Sequence, residues 1–167
     1  MEYKITRRIP DEAARFLREA YSMDLEPLSK EYIYIYSMGK RGIKEVWLVS
    51  SHPFLDRLDL KIFKRWGFRM LRRRGQHLIP SNTFIQVFGE YMARNIIIIK
   101  EPDILEEIFI KTYVVLDNIK EGIEEVRHTD YPYKILRYKG ISVGLVKKHS
   151  RGYISLLPRK YSEIRFL

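Results

Sequence analysis

Residues 136–158 read LRYKGISVGLVKKHSRGYISLLP, apolar segments broken by YKG and by a link that carries Lys147, Lys148, His149 and Arg151. Alternation and β-branched residues mark the apolar segments as strands, and Gly140 and the stretch 150–152 have turn composition. The reading is a run of antiparallel strands whose last hairpin ends in positive charge. Its neighbours extend the pattern. NIIIIK at 95–100 is a β-branched strand, Pro102 opens a short amphipathic helix, and YVVLDN at 113–118 is another strand. KEGIEEV at 120–126 reads as a turn or a short, fraying helical piece.

Upstream the character changes. PDEAARFLREAY at 10–21 places Ala13, Phe16, Leu17 and Ala20 on one helical face, with Pro10 near the first helical position and acids at the positive end of the dipole. EYIYIYSMGKRGIKEVWLVSS at 31–51 gives two strands around a glycine-containing turn. Tyr32, Tyr34 and Tyr36 form a row on one side of a half-buried strand. Leu55, Leu58, Ile62, Phe63 and Trp66 have helical spacing, and FRMLRRRGQHLI at 68–79 is extended. A helix from a Ser81 or Asn82 cap then carries Phe84, Val87, Phe88, Tyr91 and Met92, weakened at Gly89. The expected fold class is α+β, with a mixed α/β domain over 1–93 and a strand-rich domain over 94–167.

Charge is distributed unevenly. Residues 61–74 hold seven bases and no acid; 101–130 hold nine acids against three bases; 134–167 hold nine bases against one acid. That separation of sign predicts a cationic face built from two segments, an electrostatic footprint for a polyanion. The absence of cysteine removes disulfides, thiolate nucleophiles and thiolate metal sites. With no apolar leader and a longest apolar run of only Ile96 to Ile99, the expectation is a cytoplasmic protein that does not engage a membrane.

The succession NIIIIK, DILEEIFI, YVVLDN and KILRYKGISVGLVKKH resembles the PUA domain, a small β-barrel-like RNA-binding module. Over its whole length the chain is similar to the two-domain family of archaea and eukaryotes that joins a pre-PUA domain to a PUA domain and acts in biogenesis of the large ribosomal subunit. WGFRMLRRRGQHLIPSNTFIQVFGEYMARNIIIIKE at 66–101 follows that family's layout. The resemblance implies a monomeric, non-catalytic protein without a cofactor. It would bind ribosomal RNA or its precursor alongside ribosome-assembly proteins.

The residues that would touch RNA are Lys147, Lys148 and Arg151 on the hairpin, with Arg159 and Lys160 after it. Such cations neutralise phosphates and release counterions. Tyr153 is a candidate platform for a stacked base, against a packed position on the sheet. Arg72 and Arg74 share one face of a strand, Arg73 the other, so that pair can extend the track. Enzymatic signatures are lacking: no glycine-rich nucleotide loop, no Walker sequence, and four histidines without ligand spacing. His128 and Asp130 in RHTD form an acid/base pair or, more simply, a polar turn. Two other classes remain as alternatives: a component or detached targeting module of an RNA-modification enzyme, and a protein adaptor using the acidic 101–130 segment.

Overall fold

The computed structural model describes residues 3–28, 31–51, 67–111, 113–115 and 122–157. The chain is α+β and divides into two compact units, Met1–Phe84 and Ile85–Leu167. Among the described residues no helix is long and apolar enough to cross a membrane.

The first unit is built on a five-stranded antiparallel sheet. It comprises β1 (Tyr3–Thr6), β2 (Tyr32–Gly39), β3 (Gly42–Ser50), β4 (Phe68–Arg74) and β5 (His77–Pro80), paired in chain order. Helix α1 (Asp11–Tyr21) buries Ala13, Ala14, Leu17, Ala20 and Tyr21 and leaves Arg15, Arg18 and Glu19 exposed. Its apolar face lies against β3, removing those side chains from water. Pro10 stands one residue before the helix, its carbonyl accepting the Ala14 amide at 2.9 Å.

Two features differ from what the sequence led us to expect. Strand β1 was not foreseen; it is a short edge strand whose pairing with β2 comes from residues thirty positions away. Strand β2, an interior strand between β1 and β3, is buried on both faces at its centre, Ile33 and Ile35 as well as Tyr34. Tyr34 keeps its hydroxyl satisfied by donating to the Leu28 carbonyl. The helix expected at 52–66 lies outside the described residues.

Helix α2 (Asn82–Phe88) begins at Ser81, whose hydroxyl accepts the Phe84 amide at 3.1 Å and donates to the Arg69 carbonyl. Gly89 ends it in one tight turn, Gly89–Tyr91. Its buried face is Phe84, Ile85 and Phe88, whereas Val87 and Tyr91 are exposed, so the apolar stripe is rotated from the predicted one.

The second unit carries a six-stranded sheet. Its elements are β6 (Ile96–Ile99), helix α3 (Pro102–Ile110), β7 (Tyr113–Val115), β8 (Ile123–Val126), β9 (Tyr133–Tyr138), β10 (Ile141–His149) and β11 (Gly152–Ser155). The strand order is β7-β11-β10-β9-β6-β8, with β6 and β9 the one parallel pair among the described residues. Strands β7 and β8 are its two edges, and among the described residues the sheet does not close into a barrel. Leu105 and Ile108 of α3 pack on Ile97, Ile99, Leu136, Val146 and Tyr153. Residues 123–126, read as turn or helix, are strand β8: pairing with β6 places Ile123 opposite Ile99 and Val126 opposite Ile96, which overrides weak local preference. Lys139 (φ 47°) and Gly140 (φ 80°) form the type I′ tip between β9 and β10.

One part-buried tie joins α1 to two hairpins in the first unit. Glu12, in the first turn of α1, accepts the Ile43 amide at 2.7 Å and a guanidinium N–H of Arg73. Arg73 also donates to the Ile43 carbonyl (2.8 Å) and the Gln76 carbonyl (3.1 Å). Gly42 (φ 97°) lies so close that a Cβ there would come within 2.6 Å of the Glu12 carboxylate. Gly75 (φ 63°) has nothing within 4 Å of the same position. Gly75→Ala is therefore expected to cost only the left-handed strain, about 1 kcal/mol. Gly42→Ala must also push Glu12 off its charged hydrogen bonds and should cost at least about 2 kcal/mol. Urea unfolding of the two variants checks the order; equal losses would show that the Glu12 contact contributes nothing.

Candidate nucleic-acid interface

The hairpin is formed by β10 and β11, which pair Lys147 with Ile154, Lys148 with Tyr153 and His149 with Gly152. Only Ser150 and Arg151 lie between the strands, so the tip is tight. Lys147, Lys148, His149, Ser150 and Arg151 are all exposed. Residues 147 and 148 point to opposite faces of the sheet, because side chains alternate along a strand. Arg159 and Lys160 lie outside the described residues. Arg72 and Arg74 are exposed on β4 and belong to the first unit, with Arg73 turned the other way into its tie.

Tyr153 is not a stacking platform. Strand β11 lies between β10 and β7 rather than at an edge, and the ring is 3 % exposed within the core under α3. Its hydroxyl donates to Glu125, and burial together with that carboxylate raises its pKa. Opposite it, Lys148 lies over a polar chain: its Nζ donates to His128 Nε2 at 2.8 Å, and His128 Nδ1 lies 2.9 Å from Glu125 Oε2. That pattern fixes the neutral tautomer with the proton on Nδ1. Burial first, then the cations Lys134 and Lys148, hold His128 below its ordinary pKa of 6.5, against the opposite pull of Glu125 and Asp130. Glu125 thus orients Tyr153 and His128, and His128 orients Lys148. The His128–Asp130 acid/base pair does not form; the histidine turns to Glu125 and Lys148 instead.

Sequence reasoning missed the anchor beneath this chain. Lys134 on β9 has no accessible surface. Its ammonium donates to Asn95 Oδ1 and to the Thr129 carbonyl, both at 2.7 Å. Asn95, with φ 57°, also accepts the Thr129 amide (3.0 Å), donates through Nδ2 to the Thr129 hydroxyl (2.7 Å), and bonds Ile135 through its carbonyl (2.8 Å). One buried cation therefore pins the residue before β6, the β8–β9 link and β9 itself. Nothing in YKILRY distinguishes Lys134 from a solvated lysine, because the strand is paired on both sides and lacks alternation. Arg137 is also turned inward, donating to the carbonyls of Gly89 (2.7 Å) and Met92 (3.2 Å). Two of the nine bases counted after residue 133 are thus structural.

The chain was compared with protein-family models and with curated proteins, and it matches none of them.

Burial, and secondarily the Lys148 charge, push the Lys134 pKa down to about 8, against the raising influence of Glu125 and Asp130. The folded pKa lies below the ordinary 10.5, so between them the unfolded chain holds the proton that the folded chain has lost. Stability must then rise with pH from 8 toward 10, by up to about 1.4 kcal/mol per pH unit. Above 10 the buried tyrosines Tyr34 and Tyr153, with raised pKa values, reverse the trend. Lys134→Met should remove the rise between pH 8 and 10. Chemical unfolding of both proteins at stepped pH checks it, and parallel pH profiles would contradict it.

Proposed function

We propose that the chain is a non-catalytic RNA-binding protein that uses the β10–β11 hairpin tip on the phosphate backbone of single-stranded RNA. The observation that carries the reading is the exposed run Lys147, Lys148, His149 and Arg151 at a tight hairpin tip, with Lys148 held in place by His128 and Glu125. Preorganised cations lose little side-chain freedom on binding, and a rigid tip keeps them in register with successive phosphates. Lys147 and Arg151 supply charge from an accessible position. Tyr153 serves the core and takes no part in contacting bases.

The α+β character, with a mixed sheet in the second unit, supports a pre-PUA plus PUA arrangement as the finer reading of the fold. The resemblance of residues 95–149 to the PUA order supports placing the activity in ribosomal RNA processing or large-subunit assembly. Ribosome-assembly proteins are then the natural protein partners.

With about three to five phosphates neutralised, log affinity for a single-stranded oligonucleotide should fall against log salt with a slope of roughly −2 to −4. Lys148→Ala/Arg151→Ala should weaken binding while circular dichroism stays unchanged, since exposed residues of this kind typically cost less than about 0.5 kcal/mol of stability. Fluorescence anisotropy over a salt series measures both. Absence of binding, or binding with a flat slope, would remove the reading.

A further inference from the structure

Strands β2 and β4 both run antiparallel to β3, so they run in the same direction and their following turns emerge at one end of the first sheet. One turn is Lys40–Arg41, between the paired residues Gly39 and Gly42. The other is Gly75–Gln76, between Arg74 and His77. Lys40, Arg41, Arg72 and Arg74 are all exposed there. The two turns are also fastened together. Arg73, 16 % exposed in its side chain, spans from the Ile43 carbonyl on β3 to the Gln76 carbonyl in the second turn, with Glu12 of α1 completing the knot.

The charge balance at this end is one-sided. Glu12 is consumed by Arg73 and the Ile43 amide, while Glu45, opposite Arg72 in the ladder, accepts the neutral Tyr3 hydroxyl at 2.7 Å and keeps its charge. Lys40, Arg41 and Arg74 have no acidic partner among the described residues. A surface that held its cations only for solubility would need no part-buried ion pair to fix the spacing of the turns that carry them. Three of the four are arginines, whose planar fork matches phosphate oxygens in bidentate fashion. The basic triplet at 72–74 thus divides its labour: the middle residue braces two hairpins, and its neighbours face outward beside Lys40 and Arg41, which sequence reading had passed over.

We propose that this end of the five-stranded sheet is a second phosphate-contact surface for single-stranded RNA, with Lys40, Arg41, Arg72 and Arg74 as the contacting side chains. It rests on the reading that the chain binds RNA, and adds a site in the first unit distinct from the β10–β11 hairpin. Phosphate contact of this kind gives affinity without base preference, so the surface would lengthen the bound segment rather than select its sequence.

The test uses the full chain and a labelled oligouridine in anisotropy titrations over a salt series. It compares wild type, Lys40→Ala/Arg41→Ala, Lys148→Ala/Arg151→Ala and the four-site combination. Removing two phosphate contacts should make the log–log salt slope shallower by roughly 1.4 in the Lys40/Arg41 variant, with lower affinity, and the combination should lose both increments. An unchanged slope and affinity for the Lys40/Arg41 variant, beside a weakened Lys148/Arg151 variant, overturns this surface and leaves the hairpin reading standing. Lower affinity with an unchanged slope overturns phosphate as the group contacted. Failure of the wild type to bind overturns both.

Discussion

Desolvating a cation costs several kilocalories per mole unless its hydrogen-bonding capacity is met, and that constraint sorts the basic residues of this chain into two sets. Lys134, Arg137 and Arg73 are turned inward, and each donates to backbone carbonyls or a polar side chain, although the buried Nε of Arg137 finds no partner among the described residues. Through those bonds each inward cation joins segments distant in sequence. Lys134 joins the start of β6 to the β8–β9 link, Arg137 joins β9 to the end of α2, and Arg73 joins two hairpins to α1. Lys40, Arg41 and Arg74 sit outside, at hairpin ends beside such a tie. The same chemistry that costs stability when a donor is left unmet therefore gives the exposed charges fixed places.

The two tip regions are built alike. In each, exposed cations stand at a hairpin end, and a carboxylate behind it holds a nearby side chain: Glu12 holds Arg73, and Glu125 holds His128. Glu12 is paired with the Arg73 cation, whereas Glu125 accepts from the neutral Tyr153 hydroxyl and His128 ring and keeps its charge behind the hairpin. A fixed array of cations exchanges its counterions for phosphates at smaller entropic cost than flexible lysines would. That is the physical content of the proposal that these tips meet a nucleic-acid backbone.

Local chemistry was legible in the sequence where the deciding residues are neighbours. The Ser81 cap, the I′ turn at 139–140, the hairpin at 147–152 and the alternation of Arg72, Arg73 and Arg74 all depend on residues within a few positions of one another. What was not legible depends on pairing across the chain. Residues 123–126 become a strand only because β6 is there to receive them. Tyr153 is buried because α3 packs over its face of the sheet, and Lys134 because Asn95 and the β8–β9 link close over it. Counting charges along the chain located the cationic segments, but could not tell Lys134 and Arg137 from Lys147 and Arg151, since burial is a property of the assembled sheet.

The central claim is that the outward cations of the β10–β11 hairpin lie against RNA, and ultraviolet crosslinking of the full chain to uridine-rich RNA, read by mass spectrometry of the digested complex, tests it most directly. The account predicts that crosslinked nucleotide is found on peptides containing residues 147–152, and that crosslinking there declines as salt is raised. Crosslinks confined to the α3 segment or other acidic parts of the chain, with residues 147–152 unmodified at every salt concentration, would contradict it.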